Sequence, residues 1–501
     1  MNTHTIGDEL RDGGLNAQQL VTGEIKNIFS WGRYESHGLI IPTYSVIFYL
    51  FFQNSPLTFK LASFSIALFG VATLYVWGTR VHSRGFAVLL VGILISIQHF
   101  LYYARTEVVV IFSVFWMIVI LFAVWEWLKH RYWQGFIGVC ALFGFVAGFH
   151  GSARTIVLMT GLLVGIIFIL SEVKKKTVLW RQLLTIVVGA IAFMVGFGPR
   201  LYYTTPEIAV MSRSLFIKDS PEKKDYKAEQ SLIEKVAFST VKLVDKYQRS
   251  LMVYVYEPTT THYSGKSSIL PFASVIFVIA GLIFCLLQKD KRFLLLVYYF
   301  FMIPLTNSAL TEVTNGDHRL GPIFPVAAIM AALGLYFLYT SAHNLQNRKK
   351  LLVQAILIFI AIVIHGWSFL SFFTQQYASY GMFRLDRSKV YQDFMFTDAL
   401  KLIKTEGLAS TGRLCFTGNK DNVSFLKELH IKEQMQYFFP DVKYQVVSRA
   451  DLPDDELYIS TDCSEDFSTV KWSMKAYCAE KTWFVCPPDN SHYQVLFLRQ
   501  D

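Results

Sequence analysis

The chain has 501 residues, of which 53% are hydrophobic and only 17% charged, with 43 Phe, 26 Tyr and 10 Trp. A soluble domain carries about a quarter charged residues, so this composition excludes both a water-soluble globule and a disordered chain. The net charge of +10 is uneven, since residues 375–501 hold 15 Lys and Arg against 18 Asp and Glu and residues 1–374 hold 32 against 19. That basic excess sits in short loops between apolar runs, and it reads as membrane topology rather than as affinity for nucleic acid.

Residues 1–22 contain Asp8, Glu9, Arg11 and Asp12 and no apolar core of a signal peptide. Gly7-Asp8-Glu9 precedes an amphipathic segment running to Ile25. A carboxylate pair beside an interface can serve as general base or metal ligand, although a solvated helix start looks the same. The apolar run His37–Gln53 is short and has Pro42 near its start, so it predicts a helix lying in or dipping into the interface, with a short span as the alternative.

Ten apolar segments then suit a hydrocarbon layer of about 30 Å at roughly 20 residues each. They fall at 58–79, 86–103, 107–128, 133–150, 155–171, 182–200, 268–287, 292–308, 321–341 and 351–373. Every second connection is basic: Arg80 and Arg84, Lys129 and Arg131, Lys174 to Lys176 with Arg181, Lys289 with Lys291 and Arg292, and Arg348 to Lys350. By the positive-inside bias these loops are cytoplasmic. The connections 104–106, 151–154, 201–267 and 309–320 are then external, together with residues 1–57 and 375–501. An external N-terminus requires either reverse insertion of the first span or a helix upstream of residue 1; the second is the favoured reading.

The external side gathers the chemistry. Tyr102-Tyr103-Ala104-Arg105-Thr106-Glu107 closes one hairpin, where charges at membrane depth point to function, with interfacial snorkelling as the plainer reading. His150-Gly151-Ser152-Ala153-Arg154 combines small residues with a guanidinium that can grip a phosphate bidentately, or is an ordinary solvated loop. The loop 201–267 holds an amphipathic stretch 231–248 and then Tyr254, Tyr256, His262 and Tyr263, and predicts a lid or binding loop. Asp317-His318-Arg319 stands at the mouth of a late span.

Beyond residue 390 helical and strand patterns alternate. Helices are expected over Phe394–Thr405 and Val423–Phe439, and strands at Arg413–Phe416, Val442–Val447, Glu456–Ile459, Thr482–Val485 and Tyr493–Leu498. The expectation is a polytopic α-helical membrane protein with an extracytoplasmic C-terminal α/β domain. Cys415, Cys463, Cys478 and Cys486 all lie in that domain, on the oxidising side, so a structural disulfide is expected, with Cys463–Cys486 the first choice and no zinc spacing. Cys140 and Cys285 lie in spans as small buried hydrophobes. Asn422-Val-Ser424 matches a glycosylation sequon, which is relevant only in a eukaryotic host.

The stretch from Asp8 to Pro325 resembles the integral-membrane GT-C glycosyltransferases, notably the branch of protein O-mannosyltransferases and the lipid A aminoarabinose transferase. Asp8-Glu9 stands where those enzymes carry an Asp-Glu pair before an amphipathic helix, and Ile41-Pro42-Thr43-Tyr44 resembles their juxtamembrane helix. Asn54-Ser55-Pro56-Leu57, Tyr103 to Glu107, Gly148 to Arg154 and His318 to Pro325 resemble later family segments. Arg154 stands where many relatives have Lys, and Glu107 where Asp is commoner. The resemblance implies inverting transfer of a sugar from a polyprenyl-phosphate carrier to an extracytoplasmic lipid, glycan or protein, with the membrane lipid itself as surroundings and no cofactor or metal demanded. It implies Asp8 as base, with Glu9 and Glu107 assisting. Arg105, Arg154, Arg200, His318 and Arg319 would meet the donor phosphate, and His150, Tyr254, Tyr256 and His262 would line the substrate loop. A bacterial inner membrane is favoured over the endoplasmic reticulum. The rivals are a lipid-linked saccharide flippase, which should show mid-span charges and an internal repeat, and a glycan polymerase or ligase, which differs only in substrate. A ligand sensor on a membrane anchor is the remotest, since ten spans are excessive for an anchor.

Overall fold

The computed structural model describes residues 10–26, 28, 40–55, 57–106, 108–130, 132–147, 151–174, 179–202, 232–256, 267–290, 292–310, 320–342, 345, 347–373, 413–418, 431–441, 443–448, 458–460, 472–475 and 496–499. A π-helical turn, Leu10–Leu15, leads into α1 (Asn16–Thr22), which stops at Gly23 with φ 77°, the left-handed cap that glycine adopts without strain. The expected interfacial helix is α2 (Ile40–Phe52). At about 1.5 Å per residue it is too short to cross roughly 30 Å of hydrocarbon. Ile47, Leu50 and Phe51 lie exposed along it.

The bundle follows as α3 (Leu57–Val81), α4 (Arg84–Ser96), α5 (Gln98–Thr106), α6 (Val108–His130), α7 (Trp133–Ala147), α8 (Gly151–Lys174) and α9 (Leu179–Tyr202). After it come α10 (Leu232–Met252), α11 (Val275–Leu287), α12 (Phe293–Leu310), α13 (Ile323–Ser341) and α14 (Asn347–Ser371). A helix stands at each apolar segment read from the sequence. Among the described residues four are long and apolar enough to cross a membrane: α3, the Val110–His130 part of α6, α13 and α14. The others include shorter apolar stretches such as Trp133–Ala147 and Phe272–Leu287.

The second expected span, 86–103, is not one rod. It is broken at Ile97 into α4 and α5, which meet at 74°. Ser83 Oγ caps the start of α4 by accepting from the Phe86 N–H at 3.2 Å, and Ile97 leaves helical geometry at ψ 111°. The break is held by α14. Ser368 Oγ donates to the Ser96 carbonyl at 2.8 Å, and Gln98 Nε2 donates to the Ser368 carbonyl at 3.1 Å and to Ser371 Oγ at 2.6 Å. Ser96 Oγ donates to the Ile93 carbonyl at 2.7 Å and lies 2.8 Å from His365 Nδ1. Arg80, closing α3, pairs with Glu126 of α6 at 3.8 Å. That ion pair returns α6 to the end where α3 stopped, so α4 and α5 together traverse the bundle once. They form a broken span, not a re-entrant loop.

The centre is α13, buried from Ile323 through Leu335, as a helix apolar on every side must be. Its contact with α11 depends on two glycines. A Cβ on Gly334 would fall on the Phe277 carbonyl, and one on Gly281 on the Met330 carbonyl. Gly144 of α7 and Gly196 of α9 allow the same approach, against the Phe193 and Ala141 carbonyls. One end of the bundle carries basic groups and an aromatic cluster: His82 within 4.6 Å of the Tyr336 ring and 4.8 Å of Phe86, and Arg292 over Trp125 at 4.9 Å.

Further on, β1 (Arg413–Gly418), α15 (Ile431–Phe438) and β2 (Lys443–Ser448) make a β-α-β step, β1 and β2 pairing in parallel from Arg413↔Lys443 to Gly418↔Ser448. β3 (Tyr458–Ser460) joins antiparallel on the other side of β1, giving the order β2-β1-β3. β4 (Trp472–Lys475), which the sequence did not suggest, pairs antiparallel with β5 (Leu496–Arg499). The helix expected at Phe394–Thr405, the strand expected at Thr482–Val485 and the sequon at Asn422 lie outside the described residues.

Candidate active site

Opposite the basic end, the end of α5, the start of α6, the start of α13 and the residues just after α14 meet. Arg105 closes α5, its guanidinium carbon 5.2 Å from the centre of the buried Phe372 ring just beyond α14. On the same helix Tyr103 stacks on Phe324 at 6.3 Å and His99 lies 6.0 Å from that ring, in the first turn of α13. Leu320, one residue past Arg319, is fully buried, and a Cβ on Gly321 would stand 3.2 Å from Val110, three residues past Glu107. Arg154 lies in the first turn of α8. That helix is tied to α12 by Thr160 Oγ1 and the Tyr299 hydroxyl at 2.7 Å, and by the Tyr298 hydroxyl, which donates to the Met159 carbonyl at 2.8 Å. Arg200 is in the last turn of α9. Asp8, Glu9, Glu107, His150, His262, His318 and Arg319 lie outside the described residues, although Leu10, directly after Glu9, is buried at this end.

The substrate-loop expectation divides. α10 is the amphipathic helix read at 231–248 and packs on α12. Tyr254 is buried and stacked on Phe300 at 4.3 Å and 19°, and its hydroxyl donates to the Phe300 carbonyl at 2.9 Å. Pro304 has no N–H to offer that carbonyl four residues earlier, so the tyrosine supplies the missing donor. Burial raises the Tyr254 hydroxyl well above the usual tyrosine range. It is a structural peg, whereas Tyr256 is exposed beside Phe272 at 6.1 Å.

The N-terminal segment, the α2–α3 turn and α15 meet at the same end. The Tyr437 hydroxyl donates to the carbonyls of Gln53 and Ser55, each at 3.1 Å, and its ring lies 6.3 Å from Phe59. Burial raises its pKa well above the normal value. Tyr49 donates to Asn54 Oδ1 at 2.8 Å, and burial raises Tyr49 too. Sequence reasoning missed this cluster and the elbow at Ile97. The signals present were Gln18-Gln19 within an otherwise apolar segment, and Ser96, Gln98 and His99 interrupting an apolar run. Cys415 lies in β1, and Cys463, Cys478 and Cys486 lie outside the described residues, so the expected disulfide has no structural support; Cys140 and Cys285 are free. Among the described residues no group of three or more His, Cys, Asp or Glu could hold a metal ion.

No family model and no curated protein matches the sequence. Among solved structures, ArnT from Cupriavidus metallidurans in the apo state superposes with a TM-score of 0.50 at 13% identity, covering 89% of this chain and 82% of that one. ArnT bound to undecaprenyl phosphate gives 0.52 at 13%, covering 89% and 83%. The fold is ArnT-like. At that identity the likeness concerns architecture: the chain has a polytopic helical membrane fold like that of ArnT, and ArnT itself is bound to undecaprenyl phosphate in the second structure.

Proposed function

We propose that the chain is an inverting glycosyltransferase that moves a sugar from a polyprenyl-phosphate donor to an extracytoplasmic lipid, glycan or protein acceptor. The observation that carries this reading is the ArnT-like fold over 89% of the chain. The packing of α5, which ends at Arg105, against Phe372 and the start of α13 supports it. In this reading Asp8 takes the proton from the acceptor hydroxyl as its oxygen bonds to the anomeric carbon. The bond from that carbon to the phosphate oxygen breaks in the same displacement, and polyprenyl phosphate leaves. Arg154 and Arg105, with Arg200, His318 and Arg319, meet the charge that develops on the phosphate. Glu9 and Glu107 orient the base or hold a sugar hydroxyl. Residues 1–57 form the external first loop, 58–374 the transmembrane domain with its loop 201–267, and 375–501 an extracytoplasmic α/β domain. The setting is an integral membrane protein of a bacterial inner membrane.

The test is turnover of purified wild type and Asp8→Asn with a defined polyprenyl-phosphate sugar and its acceptor. General-base catalysis is typically worth about 10²–10⁴-fold, so the amide variant should lose at least about a hundredfold while still inserting and folding. A variant keeping more than about a tenth of the rate removes Asp8 from that role. One observation favours a second reading, a lipid-linked saccharide flippase: discontinuous helices with polar elbows, such as α4–α5, also mark transporter sites. Translocation of a lipid-linked sugar across proteoliposomes with no transfer product would decide for it.

A further inference from the structure

α1 carries three amide side chains that are at least nine-tenths buried, with exposures of 2% for Asn16, 9% for Gln18 and 7% for Gln19. Two have their orientation set by donation, Gln18 Nε2 to Asn54 Oδ1 at 3.4 Å and Gln19 Nε2 to Glu24 Oε2 at 2.9 Å. The oxygens at the other ends, and Asn16 Oδ1, are closed to solvent and accept no hydrogen bond. Buried acceptors in native proteins are nearly always met by a donor, so three orphaned within four residues call for one from outside the chain.

The surroundings add shape. Asn16 and Gln19 are three residues apart and share a face of the helix, while Gln18 stands beside Tyr49 and Asn54. A Cβ on Gly14 would stand 3.0 Å from the Tyr437 ring, so that ring lies directly on the turn leading into α1. Gln53, whose carbonyl Tyr437 grips, has φ 46° and is the one non-glycine residue with positive φ among the described residues. Chemistry then selects the ligand class. All three free positions are neutral acceptors: a phosphate would meet oxygen lone pairs, and a metal ion would find no carboxylate among them. A neutral group rich in hydroxyl donors, lying beside aromatic rings, is what such a set satisfies.

We infer that Asn16, Gln18 and Gln19, with Tyr437 of α15 beside them, form a subsite for the hydroxyls of a neutral sugar. This rests on the transferase reading in one respect: it places the sugar directly after the Asp8-Glu9 pair in the chain. It gives α15, far along the sequence, a part in substrate recognition.

The experiment is saturation-transfer NMR on the full chain in lipid nanodiscs, with methyl α-mannopyranoside, methyl α-glucopyranoside and methyl β-L-arabinopyranoside as probes. Undecaprenyl phosphate binding is measured in parallel. At least one glycoside should saturate the wild type, and Gln18→Met and Gln19→Met should each weaken it about tenfold or more. Methionine relieves the orphaned oxygen but also removes the donation to Asn54 Oδ1 or Glu24 Oε2, so the melting temperature should fall by less than about 5 °C. Three outcomes overturn the subsite: no glycoside binding by wild type that does bind undecaprenyl phosphate, wild-type affinity in the methionine variants, or a fall of more than about 5 °C accompanying the loss. Methionine-sensitive glycoside binding by protein that fails to bind undecaprenyl phosphate keeps the subsite and overturns the polyprenyl-phosphate transfer reading instead.

Discussion

Tyr254 shows how a single hydroxyl can stand in for a missing backbone bond. Pro304 leaves the Phe300 carbonyl without its helical partner, and Tyr254 donates to it at 2.9 Å while stacking on the same residue. Tyr254→Phe keeps the stacking and orphans the carbonyl, which should cost about 1–3 kcal/mol. In a Pro304→Ala background the helix can supply its own N–H, so the same change should cost far less. A double-mutant cycle of unfolding in detergent reads the difference directly. An acid-dependent test belongs to Asp290, whose carboxylate accepts from Arg292 Nε at 2.7 Å. The Arg292 hydrogen bond holds its pKa below the usual carboxylate value, against an opposing effect of burial. A depressed folded pKa adds stability above the unfolded value near 4, and that stability is lost as pH falls through the folded value. The expected outcome is that Asp290→Asn lowers stability at neutral pH, and that the difference from wild type closes below about pH 4.

At the scale of elements, the α11–α13 contact is set by glycine. The Cβ of Gly334→Ala would collide with the Phe277 carbonyl, a backbone atom that no rotamer change can move away. The helices must then separate, and a loss of about 1–3 kcal/mol is expected. Gly92→Ala provides the control, because a Cβ there meets nothing within 4 Å. It should be neutral or gain up to about 1 kcal/mol from helix propensity. Thermal unfolding of the two variants side by side checks this. The helices themselves were legible in the sequence, because runs such as Val108–His130 are apolar on every side and need no partner to be recognised. The break at Ile97 was not, since Ser96, Gln98 and His99 are diluted by the apolar residues around them, and their partners Ser368 and Ser371 lie some 270 positions away. The docking of Tyr437 on Gln53 and Ser55 was hidden for the same reason, as no local pattern encodes a contact across 384 residues. Of the expected site residues, Arg105 lies at the helix end that its place between two apolar runs implied. Tyr254 looked like a ligand-loop aromatic only because Pro304 could not be connected with it.

For the whole molecule, contacts constrain topology independently of charge. Arg80 reaches Glu126 at 3.8 Å and Arg292 lies over Trp125 at 4.9 Å, so an even number of crossings separates each pair. α4–α5 with α6 supply two, and α7, α8, α9 and α11 supply four. Tyr437 bonds the Gln53–Ser55 turn, a contact that asks for an even number of crossings from α3 through α14, and the ten expected from the sequence are even. A re-entrant α4–α5 would give nine and put Tyr437 on the wrong side. We propose that the positive-inside bias orients the set, with Arg80, Arg84, Lys289 and Arg292 on the cytoplasmic side. The prediction is that single cysteines introduced at Lys175, Lys291 and Lys349, in a background lacking the native ones, resist a membrane-impermeant thiol reagent on intact cells, while those at Lys223 and Lys420 react. Labelling of Lys349→Cys from outside would reverse the last span and break the parity that the Tyr437 contact requires. Labelling of all three basic-loop positions, with Lys223 and Lys420 protected, would instead keep the fold and invert it in the membrane, placing the candidate active site on the cytoplasmic side.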